Sequence, residues 1–100
     1  MSDTSMAGQV ALVTGASRGI GAAVAQALAA RGFQVIGTAT REEGAARIGA
    51  ALAAYPGCRG VALDVNDLAA AEALIEGIVK ERGALHVLVN NAGITRDMLA

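Results

Sequence analysis

A short apolar run, Val10-Ala11-Leu12-Val13, passes directly into Thr14-Gly15-Ala16-Ser17-Arg18-Gly19-Ile20-Gly21, and then into a long Ala-rich stretch. A continuous apolar run of this length reads as a strand covered on both faces. From Arg18 to Arg31, Ile20, Val24, Leu28 and the alanines between them form one apolar helical face, and Gly32 suits a left-handed stop. The glycines Gly15, Gly19 and Gly21 fall in a G-x-x-x-G-x-G spacing between the two elements. A tight strand-to-helix turn needs positions without Cβ, and so does the close approach of a phosphate to backbone N–H groups. The helix start adds a partial positive charge that favours an anion.

The same unit recurs. Phe33 to Thr38 reads as a second strand and Glu42 to Tyr55 as a second helix, with acids in its first turn and Pro56-Gly57 as its stop. Arg59 to Val65 reads as a third strand. The third helix, capped by Asn66 or Asp67, runs to about Arg82 and ends at Gly83. Leu85 to Asn90 reads as a fourth strand, and residues 91–100 as a turn and the start of another helix. Alternation of this kind with short joints predicts an α/β fold: a Rossmann-type, doubly wound parallel sheet with right-handed crossovers, cut after strand 4, in the order 3-2-1-4. In that order the C-terminal ends of strands 1 and 4 flank the switch point where such sheets bind ligands. Residues 1–100 are expected to be one part of a single domain, with residues 1–8 as a flexible lead.

Composition narrows the function classes. The 100 residues are 54 % hydrophobic but only 2 % aromatic, so the core must be built from Ala, Val, Leu and Ile. A formal net charge of −1, with no basic stripe, does not suggest nucleic acid or an anionic membrane. No apolar segment approaches the roughly 18 residues of a bilayer span, and the polar start Met1-Ser2-Asp3-Thr4-Ser5-Met6 lacks the apolar stretch of a signal peptide. The single cysteine, Cys58, forms no internal disulfide and reads as a packed or half-exposed thiol. A reducing, cytoplasmic setting is the simplest expectation, and no metal site is expected.

The glycine turn is not a P-loop, which needs a lysine that this turn lacks; Lys80 is the chain's only one. An acid about 20 residues beyond such a turn would hold the ribose 2′-OH of NAD, whereas an arginine there accommodates the 2′-phosphate of NADP. Strand 2 closes Gly37-Thr38-Ala39-Thr40-Arg41, with no acid. Arg18, inside the turn, and Arg41, just past strand 2, are expected to converge on one phosphate through their planar forks. NADP(H) is therefore the expected cofactor. Glu42 and Glu43 add nearby negative charge and are read as favouring the start of helix 2.

Strand 4 ends Asn90-Asn91-Ala92-Gly93-Ile94-Thr95-Arg96-Asp97. The asparagines are expected to satisfy backbone groups and lock strand 4 to strand 1; Ala92 and Gly93 leave room for a bulky ligand. With this second motif across the crevice from the first, the chain resembles the short-chain dehydrogenase/reductase family over residues 8–100. Residues Thr14 to Gly21 resemble the family's cofactor turn, and Asn90-Asn91-Ala92-Gly93 its strand 4 motif. The resemblance implies that Asp64-Val65 contacts the adenine and that Thr40 lies near the adenosine ribose. It implies cofactor contacts at Gly15, Ala16, Ser17, Arg18, Gly19, Ile20, Gly21, Thr40, Arg41, Asp64, Val65, Asn91, Ala92 and Gly93. Within the family, the strand 2 and strand 4 endings are most similar to the 3-oxoacyl-[acyl-carrier-protein] reductases of fatty-acid biosynthesis, with acetoacetyl-CoA reductases as runner-up.

The resemblance further implies an NADPH-dependent reductase, acting on a carrier-protein-linked or CoA-linked 3-oxoacyl thioester and forming a homo-oligomer, a tetramer, as a complete protein. The family's chemistry uses a serine and a Tyr-x-x-x-Lys pair. Tyr55, the only tyrosine, is followed four residues later by Arg59 rather than lysine; Ser2 and Ser5 lie in the lead and Ser17 in the phosphate turn. No catalytic residue is identified in the chain; the family pattern places those residues beyond Ala100, so the fragment alone is expected to be inactive. His86 stands where the family usually has an acid and reads as a strand-edge residue near the surface. Another short-chain alcohol dehydrogenase and a non-catalytic dinucleotide-binding module remain as alternatives.

Overall fold

The computed structural model describes residues 8–91. Seven elements alternate in the expected order. They are β1 (Val10–Val13), α1 (Gly19–Ala30), β2 (Gln34–Ala39), α2 (Glu42–Ala51), β3 (Arg59–Ala62), α3 (Leu68–Arg82) and β4 (Val87–Val89). The four strands form one sheet in the order β3-β2-β1-β4, with every pairing parallel. Val13 stands opposite Gly37 on one side and Val89 on the other, so the strands end together and their loops share one rim.

Alternation along β1 explains the layers. Ala11 and Val13 face α1 and α2, packing with Val35, Ala25, Ala29, Ile48 and Leu52. Val10 and Leu12 face the opposite side and pack with Ile36 and with Ile78 of α3. All four β1 residues are buried, as an apolar run covered on both sides requires. Small side chains dominate the first cluster, so α1 and α2 lie close to the sheet.

Strand β2 is shifted by one residue from the expected Phe33 to Thr38, and three elements are shorter than expected, each for a local reason. Helix α2 stops at Ala51 rather than Tyr55. Leu52 turns into the core at 2 % exposure, and beyond it Ala53 and Tyr55 donate three residues back, to Ala50 and Leu52. Strand β3 stops at Ala62 rather than Val65. There the Asp64 carboxylate accepts the Asn66 N–H at 2.9 Å, and the Asp67 N–H donates to Asp64 O at 2.9 Å. This Asx-type turn competes with the ladder. Strand β4 is three residues long because the residues flanking it bond through their side chains.

At the N-terminal end of the sheet, side chains finish the ladder. The Val10 N–H donates to His86 Nδ1 at 2.9 Å, while the His86 N–H donates to Val10 O at 2.9 Å. The Val35 N–H donates to Cys58 Sγ at 3.2 Å, and that thiol lies 3.6 Å from Phe33 O. Arg82, at the end of α3, donates to Gln34 Oε1 and to Gly57 O, both at 2.7 Å. His86 is exposed, as expected, and Cys58 is half-buried. Gly8, assigned to the lead, donates its N–H to Gly32 O at 3.2 Å and is thereby tied to the α1–β2 turn. Residues 1–7 of the expected lead lie outside the described residues.

Candidate functional site: a trough at the C-terminal rim

The glycine turn is held from both sides. The Thr14 N–H donates to Val89 O at 3.0 Å, and the Ala16 N–H to Thr38 O at 2.8 Å. The Thr14 hydroxyl lies 3.2 Å from Asn90 Oδ1. Asn91 Nδ2 donates to Gly15 O at 3.1 Å. The two asparagines therefore lock the β4 ending to the β1 turn, as expected. Gly15 and Gly19 have φ of 62° and 65°, the left-handed region that a side chain disfavours. Gly21 sits where the start of α1 closely approaches the turn that follows β1. A Cβ there would run into the Gly15 carbonyl and sit 2.7 Å from Asn91 Nδ2. Its bare Cα leaves room for the bond that closes the turn.

The helix starts at this rim are unequal. Helix α3 is capped in the ordinary way, Asp67 Oδ1 accepting the Ala70 N–H at 3.1 Å. Helices α1 and α2 begin after Arg18 and Arg41, both extended and neither giving a side-chain cap. A guanidinium has donors only, so it cannot satisfy the open N–H groups of a first turn. It also sets a positive charge beside the positive end of the helix dipole, which is locally unfavourable by about 0.3–1 kcal/mol. An anion at the same place reverses both penalties.

Three adjoining cavities form a trough around the end of β2, all lined by Ala39 and Thr40. One, of about 530 Å³, includes Gly15, Ser17, Arg18, Gly19 and Asn91. The next, of about 520 Å³, adds Arg41, Glu43, Gly44 and Arg47 to Ser17 and Arg18. The third, of about 290 Å³, is bordered by Gly15, Thr38, Leu63, Asp64, Val65 and Asn66. The Thr38 hydroxyl is buried with no hydrogen-bond partner among the described residues.

The structure therefore brings Gly15, Ser17, Arg18, Gly19, Thr40, Arg41, Asp64, Val65 and Asn91 around one trough. Ala16 is buried beneath it, pinned to β2. Ile20 borders none of the three cavities, and its side chain is exposed. Ala92 and Gly93 lie outside the described residues. Arg47 is the residue that sequence reasoning missed. The available signal was its place in the second turn of α2, since long helical side chains lean back toward the helix start.

A family model for the short chain dehydrogenases matches residues 9–100. The chain belongs to that family. Among relatives of this short-chain dehydrogenase chain is the 3-oxoacyl-[acyl-carrier-protein] reductase FabG of Salmonella typhimurium, 55 % identical over 95 residues, which are 95 % of this chain and 38 % of that protein. The Escherichia coli protein of the same name is 56 % identical over 92 residues, 92 % of this chain and 37 % of its own length. That of Haemophilus influenzae is 50 % identical over 96 residues, 94 % and 38 % respectively. The chain thus spans less than half the length of the relatives it matches. Among the described residues, no helix is long and apolar enough to cross a membrane, and no group of three or more His, Cys, Asp or Glu could hold a metal ion.

Proposed function

We propose that this chain is the cofactor-holding part of an NADPH-dependent reductase that converts a 3-oxoacyl thioester, carried on acyl carrier protein, to the 3-hydroxyacyl form. The observation that carries the cofactor reading is the convergence of Arg18 and Arg41 on one cavity at the open start of α2. The residues fit the group. The uncapped first turn of α1, with Gly15 and Gly19 left-handed before it, offers donors to the pyrophosphate. Arg18, Arg41 and Thr40 surround the position for a ribose 2′-phosphate. The cavity bordered by Asp64 and Val65 suits the adenine, and Asn91 holds the turn in shape from the β4 side. Ala16, Ser17, Ile20 and Gly21 complete the turn's framework, and the reading includes Ala92 and Gly93 as further cofactor contacts.

Bound NADPH supplies the hydride that reduces the 3-oxo group. The residues of this chain do the binding: they fix the adenosine end, neutralise phosphate charge, and keep the turn rigid. The substrate class rests on the relatives' name and on 50–56 % identity over nearly the whole chain. The reading includes a homo-oligomeric, cytoplasmic complete protein.

The test is a comparison of dissociation constants for NADPH and NADH. A charged hydrogen bond contributes roughly 1.5–3 kcal/mol, so NADPH is expected to bind at least about tenfold more tightly. Equal constants overturn the NADPH assignment.

A further inference from the structure

We propose that Arg47 is a specificity-determining residue, a third guanidinium that engages the 2′-phosphate together with Arg18 and Arg41. The proposal rests on the NADPH reading above and adds a residue that neither the turn motif nor the end of β2 points to. Three observations carry it. First, Arg47 lines the same cavity of about 520 Å³ as Arg18 and Arg41, although it belongs to the second turn of α2. Second, among the described residues none of these three side chains makes a hydrogen bond or an ion pair; the ion pair present joins Arg59 and Glu81, with both partners well exposed. Third, Glu43, four residues before Arg47 and on the same cavity wall, is spaced for an i,i+4 pair with it, yet no such pair forms.

Charge balance gives these observations their meaning. The cavity wall carries three guanidinium groups against one carboxylate, that of Glu43; Glu42, the other acid in the first turn of α2, is not on that wall. These side chains are exposed, so solvent screens their mutual repulsion, and an anion entering the cavity relieves what remains. A phosphate monoester carries about −1.5 to −2 at neutral pH and three acceptor oxygens, which matches the excess and gives each arginine an oxygen to bind. A helical arginine leans toward the start of its helix, the direction in which Arg41 lies. Glu43 then works against the phosphate, and the selectivity of the site reflects Arg47 acting against it.

The experiment is equilibrium titration of the full-length protein with NADPH, NADH and adenosine 2′-monophosphate at low salt, followed by calorimetry. Arg47→Ala is expected to weaken NADPH and adenosine 2′-monophosphate about tenfold and to leave NADH unchanged. Alanine is the better helix former, so the variant folds. Arg47→Lys, which keeps the charge but loses the fork, is expected to recover part of the loss. Glu43→Gln is expected to tighten NADPH about two- to threefold, again without moving NADH. An unchanged NADPH constant in Arg47→Ala, or equal weakening of NADPH and NADH, overturns the role of Arg47. If the unsubstituted protein itself fails to prefer NADPH, the cofactor reading falls first. A preference that survives Arg47→Ala intact removes Arg47 alone.

Discussion

At the C-terminal end of the strands, α1 and α2 start after arginines that give their first turns no side-chain acceptor; at the N-terminal end, β1 and β2 take theirs from His86 and Cys58. The polar groups at issue are the same kind, backbone N–H groups at the limits of regular structure. What differs is who satisfies them. The lower end is finished by the protein's own side chains, with Arg82 closing over Gln34 and Gly57 as well. The upper end gives α1 and α2 no side-chain cap and sets arginines at their starts, with Glu42 and Glu43 also in the first turn of α2. Helix α3 is the internal control, because it starts at the upper rim and yet carries its own cap at Asp67. Open helix starts are therefore not a property of the rim as such. They are confined to the two helices that flank the arginine-lined cavity.

The comparison is broken most severely at Gly21. Gly21→Val forces a side chain against the Gly15 carbonyl and the Asn91 amide, and overpacking of that kind costs up to about 3 kcal/mol. Thermal unfolding is expected to show that loss, with dinucleotide binding abolished at temperatures where the protein is still folded. Retained binding would show that the turn does not depend on the Asn91–Gly15 bond. Next comes His86→Ala, which strands the buried Val10 N–H at a cost of about 1–3 kcal/mol. Denaturant unfolding measures it; NADPH affinity is expected to stay unchanged, because the two ends serve separate purposes. A matched fall in affinity would merge them.

The smallest and sharpest test exchanges caps. Asp67→Ala removes a working cap and is expected to destabilise by about 1 kcal/mol, whereas Arg41→Ser supplies one and is expected to stabilise by a similar or smaller amount. The same Arg41→Ser change is expected to reduce the NADPH preference at least about tenfold. Stability gained together with selectivity lost would mark Arg41 as a residue kept for the ligand against the interest of the helix. Stability unchanged in Arg41→Ser would mean that solvent already satisfies the start of α2.

Much of this is legible in the sequence. The four-residue run Val10–Val13 is buried on both faces, which is why periodicity plus glycine punctuation located it without error. The order 3-2-1-4 followed from connection rules, and the Asn90–Asn91 lock from the placement of two amides opposite a glycine turn. The misses share a physical cause. Leu52 ends α2 early by turning into the core, and Asp64 ends β3 early by bonding to Asn66; in both cases a tertiary or side-chain bond outcompetes a continuous pattern. His86 looked like surface, and it is exposed, but its ring nitrogen completes a ladder 76 residues away in sequence, which no local window sees. Arg47 was missed because its role depends on which way a helix presents its second turn.

The Cys58 thiol has a use beyond its place in the ladder. Cys58 is half-buried and its Sγ accepts the Val35 N–H, so parting of the start of β2 from the residues before β3 is expected to speed its reaction with a thiol reagent. Its alkylation rate is then an intrinsic clock for local opening of the lower sheet. It is the chain's single cysteine, so within these 100 residues the signal comes from one place, and reading it with and without NADPH measures how far occupancy of one rim steadies the other.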